Sequence, residues 1–244
     1  MESKIWLSSP HMSGNEQKFV ADAFSTNWIA PLGPNIDGFE NDIQSYLGDN
    51  VHVAVLSSGT AAIHLGLQIL GVGKGDTVIC QSKTFSASAN PILYLGAKPV
   101  FVDSEQETWN ICPSTLDKAI KNEINKGVKP KAIIAVHLYG MPYNIKALNA
   151  ISEKYDIPIL EDSAEAFGSN YNGAMCGTFG LISILSFNGN KIITTSGGGA
   201  LVSKNKAYKN KAIFLSSQAR EKACLLYTSP SPRDQRGSRM PSSA

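Results

Sequence analysis

Between residues 51 and 160 the chain alternates short apolar runs with segments of helical periodicity, and this rhythm restricts the fold more than any other feature. Residues 51–56, 77–80, 99–102, 132–136 and 157–160 read as strands. Residues 60–70, 87–95, 113–125 and 145–155 read as helices between them. Parallel strands cannot be joined by a tight turn, and a helix is the usual crossover. The pattern therefore predicts an α/β fold with a mostly parallel sheet and helices on both faces. In such sheets ligands sit beyond the carboxyl ends of the strands. No internal repeat or linker divides the region.

Composition narrows the function classes. With 43% apolar and 17% charged residues the chain has the balance of a globular protein, and a net charge of +2 is too small to imply nucleic acid or an anionic membrane as partner. Cys80, Cys112, Cys176 and Cys224 are far apart and form no CxxC pair, so free thiols are expected and a metal site is not. The N-terminus lacks the basic and apolar regions of a signal peptide, and no apolar run is long enough to span a bilayer. The expectation is a soluble, cytoplasmic protein.

Upstream, Ser13-Gly14-Asn15-Glu16 has the form of a capping box, with Ser13 as N-cap, and Phe19, Val20, Ala23 and Phe24 follow at helical spacing. Pro34 suits the first turn of a second helix with Ile36, Phe39, Ile43, Tyr46 and Leu47 as its apolar face. Trp28, between these helices, is either a binding-loop residue or a packing anchor. Gly71-Val72-Gly73-Lys74-Gly75-Asp76 resembles a nucleotide loop but follows a helix and precedes a strand, so it reads as a turn.

The strand ends carry the chemistry. In Ser57-Ser58-Gly59-Thr60, Gly59 and Thr60 offer N–H groups and a hydroxyl at a helix N-terminus, which is a phosphate seat or a plain helix cap. Phe85 follows the next strand, placed to lie against a heteroaromatic ring or to fill core. His137 ends the 132–136 strand, where a ligand or backbone would engage it. The apolar run Ile159-Leu160 ends in Glu161-Asp162, and a carboxylate there must be paired or solvated. A pyridinium N–H is one suitable partner. A metal ion is the rival, but histidines or further acids at ligand spacing are missing. Finally, the strand-like Ser183-Ile184-Leu185-Ser186 leads to Lys191 and then to Gly197-Gly198-Gly199, where backbone can approach closely. A single lysine is most often a solvated charge, whereas a buried one can form a Schiff base. A phosphate seat, a stacking aromatic, a strand-end aspartate and a later lysine are together the parts that hold pyridoxal phosphate.

On these residues, from position 5 to about 222, the chain resembles the DegT/StrS family of nucleotide-sugar aminotransferases, built on the large domain of fold type I pyridoxal-phosphate (PLP) transferases. The matching pieces are Ser57-Ser58-Gly59-Thr60-Ala61-Ala62, Thr84-Phe85, His137-Leu138-Tyr139-Gly140, Glu161-Asp162-Ser163-Ala164-Glu165-Ala166 and Ser186-Phe187-Asn188-Gly189-Asn190-Lys191. The opening Leu7 to Glu16 and Trp28-Ile29-Ala30-Pro31-Leu32-Gly33 are similar to the subgroup that aminates C4 of UDP-4-keto-6-deoxy-N-acetylhexosamines.

The resemblance implies that Lys191 carries the cofactor covalently and shuttles a proton between donor and acceptor carbons, and that Asp162 pairs with the ring nitrogen. It implies that Phe85 stacks on the ring and that Gly59, Thr60 and Ser186 hold the phosphate. Glu165 stands where many members carry glutamine beside the ring hydroxyl, so it should shift the cofactor's titration. Trp28, Ile29 and His137 are the candidate substrate contacts. Glutamate as amino donor, a homodimer and a nucleotide-sugar substrate follow from the same resemblance. Lys191 argues against relatives that remove a sugar hydroxyl, which carry histidine there. A same-fold lyase or dehydratase and a non-catalytic sugar-binding protein are the rival readings.

The family pattern is expected to end near Lys222. Residues 223–244, rich in Ser, Pro and Arg and without apolar periodicity, read as a non-native disordered tail. Residues 1–222 would then be an N-terminal segment plus the PLP-binding domain, with the small C-terminal domain missing. The 244-residue chain by itself is expected to turn over poorly.

Overall fold

The computed structural model describes residues 11–28, 30, 32–48 and 50–219. The chain runs α1 (Glu16–Ser25), α2 (Pro34–Leu47), β1 (His52–Leu56), α3 (Gly59–Ile69), β2 (Thr77–Gln81), α4 (Asn90–Tyr94), β3 (Lys98–Val102), α5 (Pro113–Asn125), β4 (Ala132–Val136), α6 (Ile145–Tyr155) and β5 (Ile159–Asp162). A small hairpin, β6 (Asn170–Tyr171) and β7 (Ala174–Met175), precedes β8 (Ile182–Ser186), β9 (Gly199–Ser203) and α7 (Lys206–Ser216).

Seven strands form one sheet in the order β1-β9-β8-β5-β4-β2-β3. The pairs β2–β3, β2–β4, β4–β5 and β5–β8 are parallel, whereas β9 runs antiparallel to both β1 and β8. The expected α/β class and mostly parallel sheet are therefore present. The antiparallel strand was not expected. No helix connects β8 to β9, so the chain cannot cross over and must return beside the strand it left.

Period-two alternation sorts the core into two layers. On one face Ala54, Ile134, Leu160 and Ile184 pack against Ile63 and Leu67 of α3, Ile92 of α4 and Ala212 of α7. On the other, Ile133, Ala135 and Ile159 pack against Leu116 and Ile120 of α5 and Leu148 of α6. Val53, Leu185 and Val202 pack beneath Ile43 and Leu47 of α2. The edge strand β1 is guarded by Glu40 of α2. One carboxylate oxygen accepts the Val55 N–H at 3.0 Å, and the other pairs with Lys209 of α7 at 2.7 Å.

Local expectations meet mixed outcomes. Pro34 opens α2, α5 and α6 occupy the predicted ranges, and residues 71–76 form a turn. The helix expected over 87–95 is broken into a 3₁₀ turn at Ser86–Ser88 and the short α4, because Pro91 starts a helix more readily than it continues one. At α1 the N-cap is Asn15 rather than Ser13, although Glu16 does reach back to the N–H of Ser13 at 2.6 Å. No residue of α1 is buried, so its apolar side chains Phe19, Val20 and Phe24 lie at the surface.

The glycine run before β9 is a packing requirement. A Cβ on Gly199 would overlap the carbonyl carbon of Ser58 and the nitrogen of Gly59, both rigid backbone. Gly199→Ala should destabilise the protein by about 3 kcal/mol. In α2 a Cβ on Gly38 meets nothing within 4 Å, so Gly38→Ala should stabilise it by about 0.5–1 kcal/mol. Chemical unfolding of the two variants at neutral pH checks both signs.

Candidate active site

The carboxyl ends of the parallel strands open onto a cavity of about 380 Å³, a size suited to a small molecule. Gly59 and Thr60 reach it from the start of α3, and Phe85 from the loop after β2. Asp162 and Glu165 reach it from the end of β5, and Ser186 and Lys191 from the end of β8 and its following loop. Seven residues separated by more than a hundred positions thus meet in one place.

At the α3 end, the Ser58 hydroxyl accepts the Ala61 N–H at 3.0 Å and caps the helix. The two readings of this stretch are compatible: Ser58 is the cap, while the N–H groups of Gly59 and Thr60, in the first helical turn, have no intrahelical acceptor. They line the cavity beside Ser186, whose Cβ would lie 3.0 Å from a Cβ on Gly59. Small residues at both positions leave room for an anion against the helix N-terminus.

Asp162 is 4% exposed. Its Oδ2 accepts from the Ser88 hydroxyl at 2.7 Å and its Oδ1 from the Ala164 N–H at 3.1 Å. Burial pushes its pKa above the ordinary carboxylate value, against the opposing pull of those two hydrogen bonds and of the Lys191 charge. Among the described residues it has no ion-pair partner. A buried carboxylate on a cavity wall, held by neutral donors alone, fits a cationic N–H from a ligand.

Lys191 is nearly enclosed, with its side chain 11% exposed and its Nζ 3.3 Å from Oε1 of Glu165. The other oxygen of Glu165 accepts the N–H of Tyr139 at 2.8 Å. One carboxylate therefore ties the lysine to the loop after β4, where Tyr139 adopts a left-handed φ of 52°. Phe85 is 74% exposed at the cavity, with no protein ring stacked on it among the described residues. Its flat face is free for a ligand ring.

The candidate substrate contacts do not join this group. His137 is fully buried and absent from the cavity wall. Its Nε2 bonds Glu161 at 2.7 Å, its Nδ1 accepts the Tyr143 N–H at 3.2 Å, and its ring stacks on Tyr143 at 4.4 Å. That pairing places the proton on Nε2, and both nitrogens are used by protein, so the reading of His137 as a substrate contact is corrected. Trp28 does not line the cavity; its ring covers Gly33, where a Cβ would come within 2.6 Å of it. The indole packs on that turn with about half of its surface, and is otherwise 49% exposed. Ile29 lies outside the described residues.

Two groups that sequence reading did not assign complete the arrangement. Ser88 is one; its only signal was its place in a strand-end loop beside Phe85. Glu161 is the other. Alternation along β5 turns Asp162 toward α3 and Glu161 to the opposite face. There Glu161 accepts from His137 Nε2, the Ser163 and Ser183 hydroxyls and the N–H groups of Gly177, Phe179 and Gly180, at 2.6–3.0 Å. Burial alone would raise its pKa, but these donors outweigh it and hold it at about 2.

Comparison with known proteins matches residues 10–229 to the DegT/DnrJ/EryC1/StrS aminotransferase family. EpsN of Bacillus subtilis (strain 168), named as a pyridoxal phosphate-dependent aminotransferase, is 53% identical over 223 residues, which is 91% of this chain and 57% of that protein. GDP-perosamine synthase of Escherichia coli O157:H7 is 40% identical over 215 residues, covering 88% of this chain and 57% of that one. A solved structure named as the sugar aminotransferase Spr1654 of Streptococcus pneumoniae, in its PLP form, superposes with a TM-score of 0.78 at 29% identity, covering 88% of this chain and 58% of that one. The chain thus spans between half and two thirds of the length of these relatives.

The Glu161 charge sets a pH dependence. A carboxyl whose pKa falls from an ordinary 4.5 to about 2 on folding stabilises the protein above pH 4.5 and loses that effect as pH drops toward 2. Glu161→Gln turns an amide N–H₂ toward at least one of these donors, and should cost about 3 kcal/mol at pH 7. The gap between the two proteins should narrow between pH 4.5 and 2, as measured by chemical unfolding across that range.

Proposed function

The chain belongs to the DegT/DnrJ/EryC1/StrS aminotransferase family, and from that membership we propose that it is the cofactor-binding part of a PLP-dependent sugar aminotransferase. The reaction proposed moves an amino group from glutamate onto the C4 keto carbon of a nucleotide-linked 4-keto-6-deoxy sugar. The whole protein would work as a homodimer in the cytoplasm, with residues 1–222 as the N-terminal segment and PLP-binding domain. The observation that carries the reading is the convergence of Lys191, Asp162 and the start of α3 on one cavity. The substrate class is supported by the perosamine synthases among the relatives.

The cavity fits the cofactor on its own features. A cradle of free amides, kept open by small residues, suits the phosphate. The carboxylate of Asp162, buried and without a cation, suits a protonated ring nitrogen. Pyridoxal phosphate, when bound, supplies an electron sink for the carbon that loses or gains a proton.

The protein's own groups would do the rest. Gly59, Thr60 and Ser186 would bind and orient the phosphate. Asp162 would hold the ring nitrogen in its protonated state, and Phe85 would fix the plane of the ring. Lys191 would carry the cofactor, and its amine, once released, would remove a proton from the donor carbon and deliver one to the acceptor carbon. Glu165, 3.3 Å from that amine, holds it at the cavity wall. The enclosed position of Lys191 limits the access of water to these proton transfers.

Borohydride treatment of the protein with pyridoxal phosphate should trap an adduct on Lys191, located by peptide mass, and Lys191→Ala should abolish it. On the whole enzyme Lys191→Ala should lower glutamate-dependent amination about a thousandfold. Product formed without an amino donor would favour a same-fold lyase. Ligand binding with no adduct would favour a sugar-binding protein. Glu165→Gln removes a negative charge beside the ring, so the pH midpoint of the bound cofactor's absorption should move down by about one unit, read by spectrophotometric titration.

A further inference from the structure

The loop after β2 contributes a polar side chain to the cavity besides the aromatic of Phe85. Ser88 is 1% exposed and donates to Asp162 Oδ2 at 2.7 Å. A hydroxyl has one proton, so with that proton given to Asp162 its oxygen receives the bond from Thr84 Oγ1, also at 2.7 Å. The relay therefore has one direction, Thr84 to Ser88 to Asp162. Ser88 sits on the 3₁₀ turn Ser86–Ser88, which is tied to the preceding loop by the Ser88 N–H donating to the Phe85 carbonyl at 3.0 Å. The segment that presents the aromatic face thus also holds the carboxylate.

We propose that Ser88 is a positioning residue for Asp162. Its hydroxyl, oriented by Thr84, fixes the carboxylate plane against the cavity and favours the ionised form that a ring N–H requires. This rests on the reading of Asp162 as the partner of the ring nitrogen. Without the Ser88 bond, Asp162 would keep one donor, the Ala164 N–H, and a side chain free to turn. Burial already favours the protonated acid, and losing a donor moves it further that way. The other ionisable groups around it are Cys80 of β2, His137 after β4, Glu161 and Glu165 on its own segment and Lys191. None of them makes a hydrogen bond to it among the described residues.

The test compares wild type, Ser88→Ala, Ser88→Thr and Thr84→Val, with two readouts. Carbon-13 NMR of aspartate carboxyls in the cofactor-free protein, assigned with Asp162→Asn, should show the Asp162 midpoint raised by about one unit in Ser88→Ala. The shift should be smaller and of the same sign in Thr84→Val, and close to zero in Ser88→Thr, which keeps the hydroxyl. Pyridoxal phosphate titration should show the dissociation constant weakened about tenfold in Ser88→Ala and recovered in Ser88→Thr. Should Ser88→Ala fail to fold, Thr84→Val carries the same two readouts at a less buried site. An unmoved Asp162 midpoint in folded Ser88→Ala, or in Thr84→Val if that is the variant that folds, overturns the positioning role, even if the cofactor binds. A midpoint that moves in the variants, while the wild-type chain binds no pyridoxal phosphate, keeps the Ser88 relay and refutes the cofactor reading.

Discussion

A carboxylate without water must be surrounded by donors or lose its charge, and Glu161 is the point where this fold meets that demand. Its six donors come from the end of β4, the turn after β5, the segment 177–180 and β8. Each is held in place by the same charge. Close approach is part of the arrangement: a Cβ on Gly180 would lie 2.8 Å from the Cβ of Glu161. The strands that carry the cavity are thereby registered against one another at their carboxyl ends, where loops begin and ladder hydrogen bonds run out.

The next residue inherits the result. Because side chains alternate along a strand, fixing Glu161 on one face points Asp162 to the other, toward the start of α3. Two neighbouring acids then have opposite environments. Glu161 is saturated with donors and held at about 2, whereas Asp162 has two donors and is pushed upward by burial. One is finished as a structural element, and the other keeps capacity for a ligand. The antiparallel return of β9 completes the frame, since Gly199 lets its backbone lie directly against Ser58 and Gly59.

Much of this was legible in the residues. The strand–helix rhythm gave the α/β class, and α5, α6 and β4 fall where periodicity put them. Gly59, Thr60, Phe85 and Asp162 stand at strand or helix ends in the sequence pattern, Lys191 follows one, the family resemblance adds Glu165 and Ser186, and the structure brings all seven to one cavity. The misses have physical causes. A histidine at a strand end looks the same whether it meets a ligand or a buried acid, and which face His137 takes depends on the register of β4 against β5. Residues 199–203 carry an apolar pattern, but its meaning depends on a partner strand far away in the chain. The apolar side chains of α1 show the reverse case, in which helical spacing produces a helix that buries none of them.

The sequence by itself determined the local elements, the approximate place of each chemical group along the chain, and the family resemblance that joined them. Those follow from short-range periodicity, turn chemistry and spacing, which act over a few residues. Tertiary structure alone decided that Glu161 and not Asp162 takes the saturating donors, that His137 serves Glu161, and that Ser88 reaches Asp162. These depend on which face a side chain takes and on which loops meet at the strand ends. Both are set by the pairing of strands distant in sequence, and only the folded sheet supplies that pairing.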